Sequence, residues 1–147
     1  MTRRLKILAV CLLLFNSIAA IFGGGNLIDS PDGSNLGLTL DWLKHAPFHN
    51  YLIPGIVLLV ANGFFGLFVL ALIFIDFKKY SWFIVAQGVV LTGWIVIQVM
   101  MVRTVVGLHV VMGLIGVLLM LIGWRLTKND AGNVAQFEDF SNNLNYE

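Results

Sequence analysis

The side chains most capable of chemistry in this chain are few, and they fall into two groups. Asp41, His45 and His49 follow D-x3-H-x3-H. On a continuous helix that spacing brings a carboxylate and two imidazoles to one face, a ligand set that zinc or iron accepts. Pro47 works against it by disfavouring helical geometry at Ala46 and removing an N–H. No second motif supports a metal, and none is expected here. The neighbouring Asp29-Ser30-Pro31-Asp32-Gly33-Ser34 carries turn residues. It lacks the spaced acids and closing Glu of a calcium loop.

The second group lies inside apolar runs: Asn16, Ser17, Asn62, Gln87, Thr92, Gln98 and His109, with Arg103 at a helix edge. Polar side chains in a membrane span are costly and turn toward the bundle interior. They have two uses. One is interhelical hydrogen bonding, worth about 0.6 kcal/mol each. The other is a small cavity for a ligand, with His49, Asn62, Gln98, Arg103 and His109 as the candidate binding residues and a lipid, quinone or haem as occupant. Haem held by two histidines needs both on facing helices, and only His109 lies in a span. A proton relay normally uses a buried Asp or Glu, and no run contains one. There is no nucleophile–base pair, and Gly23-Gly24-Gly25 precedes no Lys-Ser/Thr that would make a phosphate loop. No catalytic residue is assigned, no cofactor is identified, and an enzyme is not expected.

These residues must be positioned by membrane helices. The chain is 59% hydrophobic and only 12% charged, with mean hydropathy +0.88, against roughly 25% charged in a soluble domain. The net charge of +1 says nothing about nucleic acid, but no basic stripe exists to follow phosphates, and nucleic acid is not expected as a partner. The single Cys11 says nothing of redox compartment. The run Leu5–Phe22 follows a basic start and resembles a signal peptide, but it is long enough to span and is read as a retained first helix ended by Gly23-Gly24-Gly25. Leu52–Ile75, opened by Pro54, makes the second. Trp82–Trp124 holds one charge, Arg103, and as a single helix would reach about 65 Å, twice the ~30 Å hydrocarbon core. It must therefore turn at Arg103-Thr104, giving spans near residues 82–102 and 105–124.

The fold expected is an all-α membrane protein, a four-helix transmembrane bundle over residues 1–126. Arg3, Arg4, Lys6, Lys78, Lys79, Arg125 and Lys128 then fall on one side, and Lys44 and Arg103 on the other. By the positive-inside rule both termini are cytoplasmic and the long 26–51 loop is extracytoplasmic. Helix depth puts Asn16, Asn62, Gln98 and His109 in the outer half, beneath that loop, and Gln87 in the inner half. Residues 127–147 form an acidic cytoplasmic tail in which Val134, Phe137, Phe140 and Leu144 recur at helical spacing.

Three stretches carry a resemblance: D-x-x-D-G-S-x-L-G-L over Asp29–Leu38, A-P-F-x-x-Y-L-I-P-G over Ala46–Gly55, and Gly88, Leu91, Trp94 and Gln98 on the third helix. The chain resembles small four-helix bacterial membrane proteins loosely akin to the DoxX-like group, over roughly Leu5 to Trp124. The resemblance implies a compact four-helix fold in the bacterial cytoplasmic (inner) membrane and transfers no activity. The leading expectation is an accessory subunit or interaction module of an inner-membrane complex, with membrane lipids and a membrane-protein partner or a second copy as partners. The alternative is a lipid-, quinone- or haem-binding redox or transport protein with its site at the outer end of the bundle.

Overall fold

The structure, a computed structural model, describes residues 2–44 and 46–144, and for 130, 131 and 133–144 the backbone alone. Among the described residues there is no strand. Four helices are long and apolar enough to cross a membrane. They are α1 (Thr2–Asp29), α2 (Leu52–Phe74), α3 (Tyr80–Val102) and α4 (Gly107–Leu144). Consecutive helices are neighbours, and α4 returns to α1, so the four close an up-and-down ring. The pairs α1/α2 and α3/α4 pack most extensively. Large apolar side chains such as Phe22, Phe74 and Met100 point outward. Such a surface would be a liability in water and suits contact with lipid.

Helix α1 does not stop at Gly23-Gly24-Gly25 but continues to Asp29. The reason lies in α2. A Cβ on Gly24 would sit 2.8 Å from the Gly55 carbonyl oxygen, and one on Gly55 would sit 2.8 Å from Leu27 Cβ. The glycines are there for a backbone-to-backbone crossing, and the packing gained outweighs the roughly 1 kcal/mol of helix propensity that each glycine forfeits. The same device joins α3 to α4. A Cβ on Gly88 would meet the Gly116 carbonyl oxygen at 2.6 Å, and one on Gly123 the Ser81 carbonyl oxygen at 2.8 Å.

Helix α2 is α-helical over Leu52–Leu58, π-helical over Leu59–Phe64 and α-helical again over Phe65–Phe74. A π-bulge shifts backbone hydrogen bonds and commonly marks a functional position. Here it contains Asn62, whose backbone oxygen accepts from Asn16 Nδ2 at 3.3 Å and whose Oδ1 accepts from Gln87 Nε2 at 3.3 Å. All three amides are buried. Gln87 therefore belongs with Asn16 and Asn62 rather than apart from them in an inner half. Because α1 runs on to Asp29, Asn16 lies about 20 Å from that end at 1.5 Å per residue. The amides thus form a layer near mid-bundle.

On one side of this layer lies an apolar core. Ala9, Leu13, Val69, Ile73, Ile84, Leu119, Ile122 and Leu126, from all four helices, pack within it. At its far end Lys6 pairs with Asp76, which has φ +50° in the α2–α3 turn, and lies 4.7 Å from the Tyr80 ring centroid. The α3–α4 turn spans 103–106, with Arg103 in the left-handed region at φ +54° and its N–H donating to the Val99 carbonyl at 2.8 Å. Helix α4 continues through the expected tail to Leu144. The side chains of Val134, Phe137, Phe140 and Leu144 lie outside the described residues.

A lidded cavity at one end of the bundle

On the other side of the amide layer the bundle opens into a cavity of about 460 Å³. Its walls are the last turns of α1 and α3 and the first turns of α2 and α4. Along α1 the lining begins at Asn16, and along α3 at Leu91. Segment 30–50 covers it, placing Leu36, Leu38, Trp42 and Leu43 in the lining. A volume in the range of about 300–1,000 Å³, mostly apolar with a few polar groups, is what a small-molecule site usually offers.

The cover is held by its own local chemistry. Two 3-10 turns, Ser34–Leu36 and Leu40–Leu43, form its body. The Asp32 carboxylate accepts from the Ser34 N–H at 3.1 Å and from the Ser34 hydroxyl at 2.8 Å. These bonds hold its pKa below the usual 3.8. Asn35 Nδ2 donates to Asp29 Oδ2 at 3.0 Å, tying the first turn to the end of α1. Tyr51 anchors the other end: its N–H donates to the Pro31 carbonyl and its hydroxyl to the Thr39 carbonyl, both at 2.8 Å. Burial raises the Tyr51 pKa, which keeps the phenol a donor. Gly33 at φ +84° lets the chain pass over the Tyr51 ring, since a Cβ there would meet Cε2 at 2.9 Å. Leu27, Leu43 and Tyr51 form a small apolar cluster that fastens the cover to the helices.

Of the five candidate binding residues, Gln98 and His109 line the cavity. Asn62 is fully buried in the amide layer just beyond it. Arg103 and His49 are exposed and do not line it. Among the described residues no three of His, Cys, Asp and Glu come together. Asp41 pairs instead with Lys44 at 3.0 Å, and His45 lies outside the described residues.

His109 sits in the first turn of α4. Its Nδ1 accepts from the Val106 N–H at 3.3 Å, while its own N–H donates to the Val106 carbonyl at 2.9 Å. The imidazole thus supplies one half of a capping box, in the place of Glu or Gln, while the second bond runs from the His109 backbone N–H to a backbone carbonyl. An accepting Nδ1 fixes the neutral tautomer that carries its proton on Nε2. Trp94 also lines the cavity and is buried, yet its indole Nε1 meets no acceptor in the protein. Buried donors rarely go unmatched. No Asp, Glu, Lys or Arg lines the cavity.

Trp94 and Asn16 were not among the five candidates. Leu91, Trp94, Gln98 and Met101 recur at three- and four-residue steps along α3, a stripe that marks one helix face. Which face looks into a cavity depends on the cover, and helical spacing cannot convey that. No family model, curated protein or solved structure matches this chain.

Proposed function

We propose that this protein binds a small lipophilic molecule from the membrane in the covered cavity, as a carrier, sensor or binding subunit rather than a catalyst. The observation that carries the reading is the cavity itself: about 460 Å³, apolar, walled by all four helices and roofed by a separately stabilised segment. Chemistry would need a nucleophile, an acid–base pair or a metal set in reach of the ligand, and the polar side chains of the lining are two amides, two indoles, one imidazole and the Tyr51 phenol, which is bonded to the Thr39 carbonyl.

The membrane arrangement belongs to the same proposal. Seven basic residues cluster at the closed end of the bundle and two near the cavity end. The positive-inside rule then makes the termini cytoplasmic and the cover extracytoplasmic. A bacterial inner membrane is favoured by the resemblance to small four-helix bacterial membrane proteins. Native mass spectrometry of protein released from membranes in mild detergent tests the binding function. Wild type should carry a lipophilic adduct that Ala20→Leu, which fills the cavity wall, carries much less of. Equal adducts on both proteins, or none on either, would count against the cavity.

A second reading is supported by α4, which continues as helix for about 24 Å beyond Lys128 at 1.5 Å per residue. Such an extension suits an interaction module or accessory subunit that docks a membrane-protein partner or a second copy. Crosslinking from position 132, followed by a search for a partner, tests it. A monomer free of crosslinks across a range of arm lengths would contradict it.

A further inference from the structure

The cavity is not walled equally on all sides. Every lining residue of α2 and α3 is buried or half-buried, from Pro54 and Leu58 to Leu91 and Met101. The exposed lining residues are Phe22 on α1, Val106 and Leu108 at the entry to α4, and Trp42 on the cover. Leu108 is the informative one. Leu108, Met112, Ile115, Leu119, Ile122 and Leu126 recur at steps of four and three and so share one face of α4. The last five are at most 8% exposed, whereas Leu108 is 62% exposed. The face that meets the other helices along α4 is therefore bare at the cavity end. The glycines give the reason. At this end α1 is drawn onto α2 by Gly24 and Gly55, while the close contacts of α4, at Gly116 and Gly123, run to α3. Among the described residues no glycine contact of that kind joins α1 to α4. The opposite seam, α2 against α3, is tied by the Gln87–Asn62 hydrogen bond and the edge contact of Phe68 with Phe83.

We infer that the cavity opens sideways between α1 and α4 into the bilayer, and that its guest is an acyl chain of a bilayer lipid whose headgroup stays outside. The inference rests on the ligand-binding reading above and gives it a route and a ligand class. On the helices the rim is Phe22, Val106 and Leu108, apolar throughout, so a chain leaving the bilayer crosses no polar barrier there. Phe22 lies seven residues before the end of α1, about 10 Å at 1.5 Å per residue, which keeps the mouth within one leaflet of a ~30 Å hydrocarbon core. A phosphate headgroup is held back because no charged side chain lines the cavity to offset its desolvation. Val102 and Val106 both line the cavity, so the turn between them stands at its edge, where such a headgroup would rest. Entry from water would have to pass the cover, which Tyr51 fastens to Pro31 and Thr39, and Asn35 to Asp29.

The test is photocrosslinking of the full-length protein in phosphatidylcholine nanodiscs, with the labelled residues mapped by peptide mass spectrometry. One probe is a phosphatidylcholine with a diazirine midway along an acyl chain. The other is a phosphatidylethanolamine with the diazirine on its headgroup. The chain probe should label Ala20 and Met112, which line the cavity and are buried, as well as the outward-facing Phe74 and Leu118. The headgroup probe should reach 103–106 and leave Ala20 and Met112 unlabelled. Leu108→Trp, which narrows the mouth, should lose the labelling of Ala20 and Met112 and keep that of Phe74 and Leu118. Leu108→Ala, which widens it, should keep all four, and so should Tyr51→Phe, which loosens the cover. The sideways route is overturned if the chain probe labels outward-facing residues alone, if Leu108→Trp leaves the cavity labelling intact, or if Tyr51→Phe raises it. Labelling of Ala20 by the headgroup probe would overturn the division between chain and headgroup. The native mass spectrum decides the underlying reading separately. A lipophilic adduct on wild type without chain labelling in the cavity leaves that reading standing with another guest, and the absence of both overturns both.

Discussion

The two halves of this bundle use the same helices for opposite ends. In the closed half, toward the Lys6–Asp76 pair, apolar side chains from all four helices pack into one core cluster. In the covered half the helices part around about 460 Å³, and the gap is roofed rather than filled. Between them lies the layer of Asn16, Asn62 and Gln87, two of whose atoms, Asn62 Nδ2 and Gln87 Oε1, remain without partners. Membrane helices do not associate through hydrophobic drive, because lipid tails are as apolar as leucine. What holds them is close backbone approach and polar contact. Close approach holds α1 to α2 at Gly24 and Gly55 in the covered half and α3 to α4 at Gly123 and Ser81 in the closed half, and the amide layer adds polar contact between them. In the covered half the helices also line a cavity.

The sharpest way to break the contrast is to attack the close approach. Gly88→Leu forces a side chain against the Gly116 carbonyl, where a Cβ alone would lie at 2.6 Å. It should cost about 3 kcal/mol or more, read as a fall in the thermal unfolding midpoint in detergent. Gly25→Ala, whose Cβ meets nothing within 4 Å, should be neutral or stabilise α1 slightly. A gain at both positions would mean that the glycines act by propensity and not by packing.

The amide layer comes next. Gln87→Leu leaves Asn62 Oδ1 without its donor in an apolar setting and should cost about 1–3 kcal/mol. Replacing Asn62 and Gln87 together by Leu should cost less than the sum of the two single changes, because no amide is then left unmatched. Strict additivity in that double-mutant cycle would show that the two side chains do not act as a pair.

Smaller effects fall on the cover. Tyr51→Phe removes the bond to the Thr39 carbonyl and should weaken the cover by about 1 kcal/mol. Hydrogen exchange should then quicken in 33–44 while the closed half keeps its protection. The Asp32 carboxylate favours the first turn of the cover in its ionised form, since its pKa lies below 3.8 in the folded state. That contribution is present above pH 3.8 and disappears as pH falls through the lowered value. Exchange at Ser34 should rise over that acidic range, and Asp32→Asn should remove the pH dependence. The smallest effect has the opposite sign. Arg103 occupies a left-handed conformation that glycine adopts freely. Arg103→Gly should therefore stabilise the turn by about 0.5–1 kcal/mol, and destabilisation would reveal a contact made by the guanidinium.

The closed half was far more legible in the sequence than the covered half. Run lengths alone demanded four spans, and the single charge at Arg103 marked the reversal within a residue or two of where α3 ends. Glycine misled at positions 23–25. Its low propensity is a local property, whereas its use at Gly24 depends on Gly55, 31 residues away in the chain. The extra length of α1 then moved Asn16 to mid-bundle and brought Gln87 into its layer. The π-bulge at Asn62 has no periodic signature, because one extra residue in a turn leaves an apolar run equally apolar. Gln98 and His109 could be found as polar residues in spans. Trp94 could not, since an indole in a membrane helix reads as packing until a cavity lies beside it.

The central claim is that the covered half is built around a lipophilic guest and the closed half is not. An experimental density map of the full chain in a lipid nanodisc tests it most directly. The account predicts continuous non-protein density beneath Leu38 and Trp42 that reaches Trp94 and His109, with none in the closed half. A map in which Trp42 and Leu43 drop inward and fill the space themselves would contradict it.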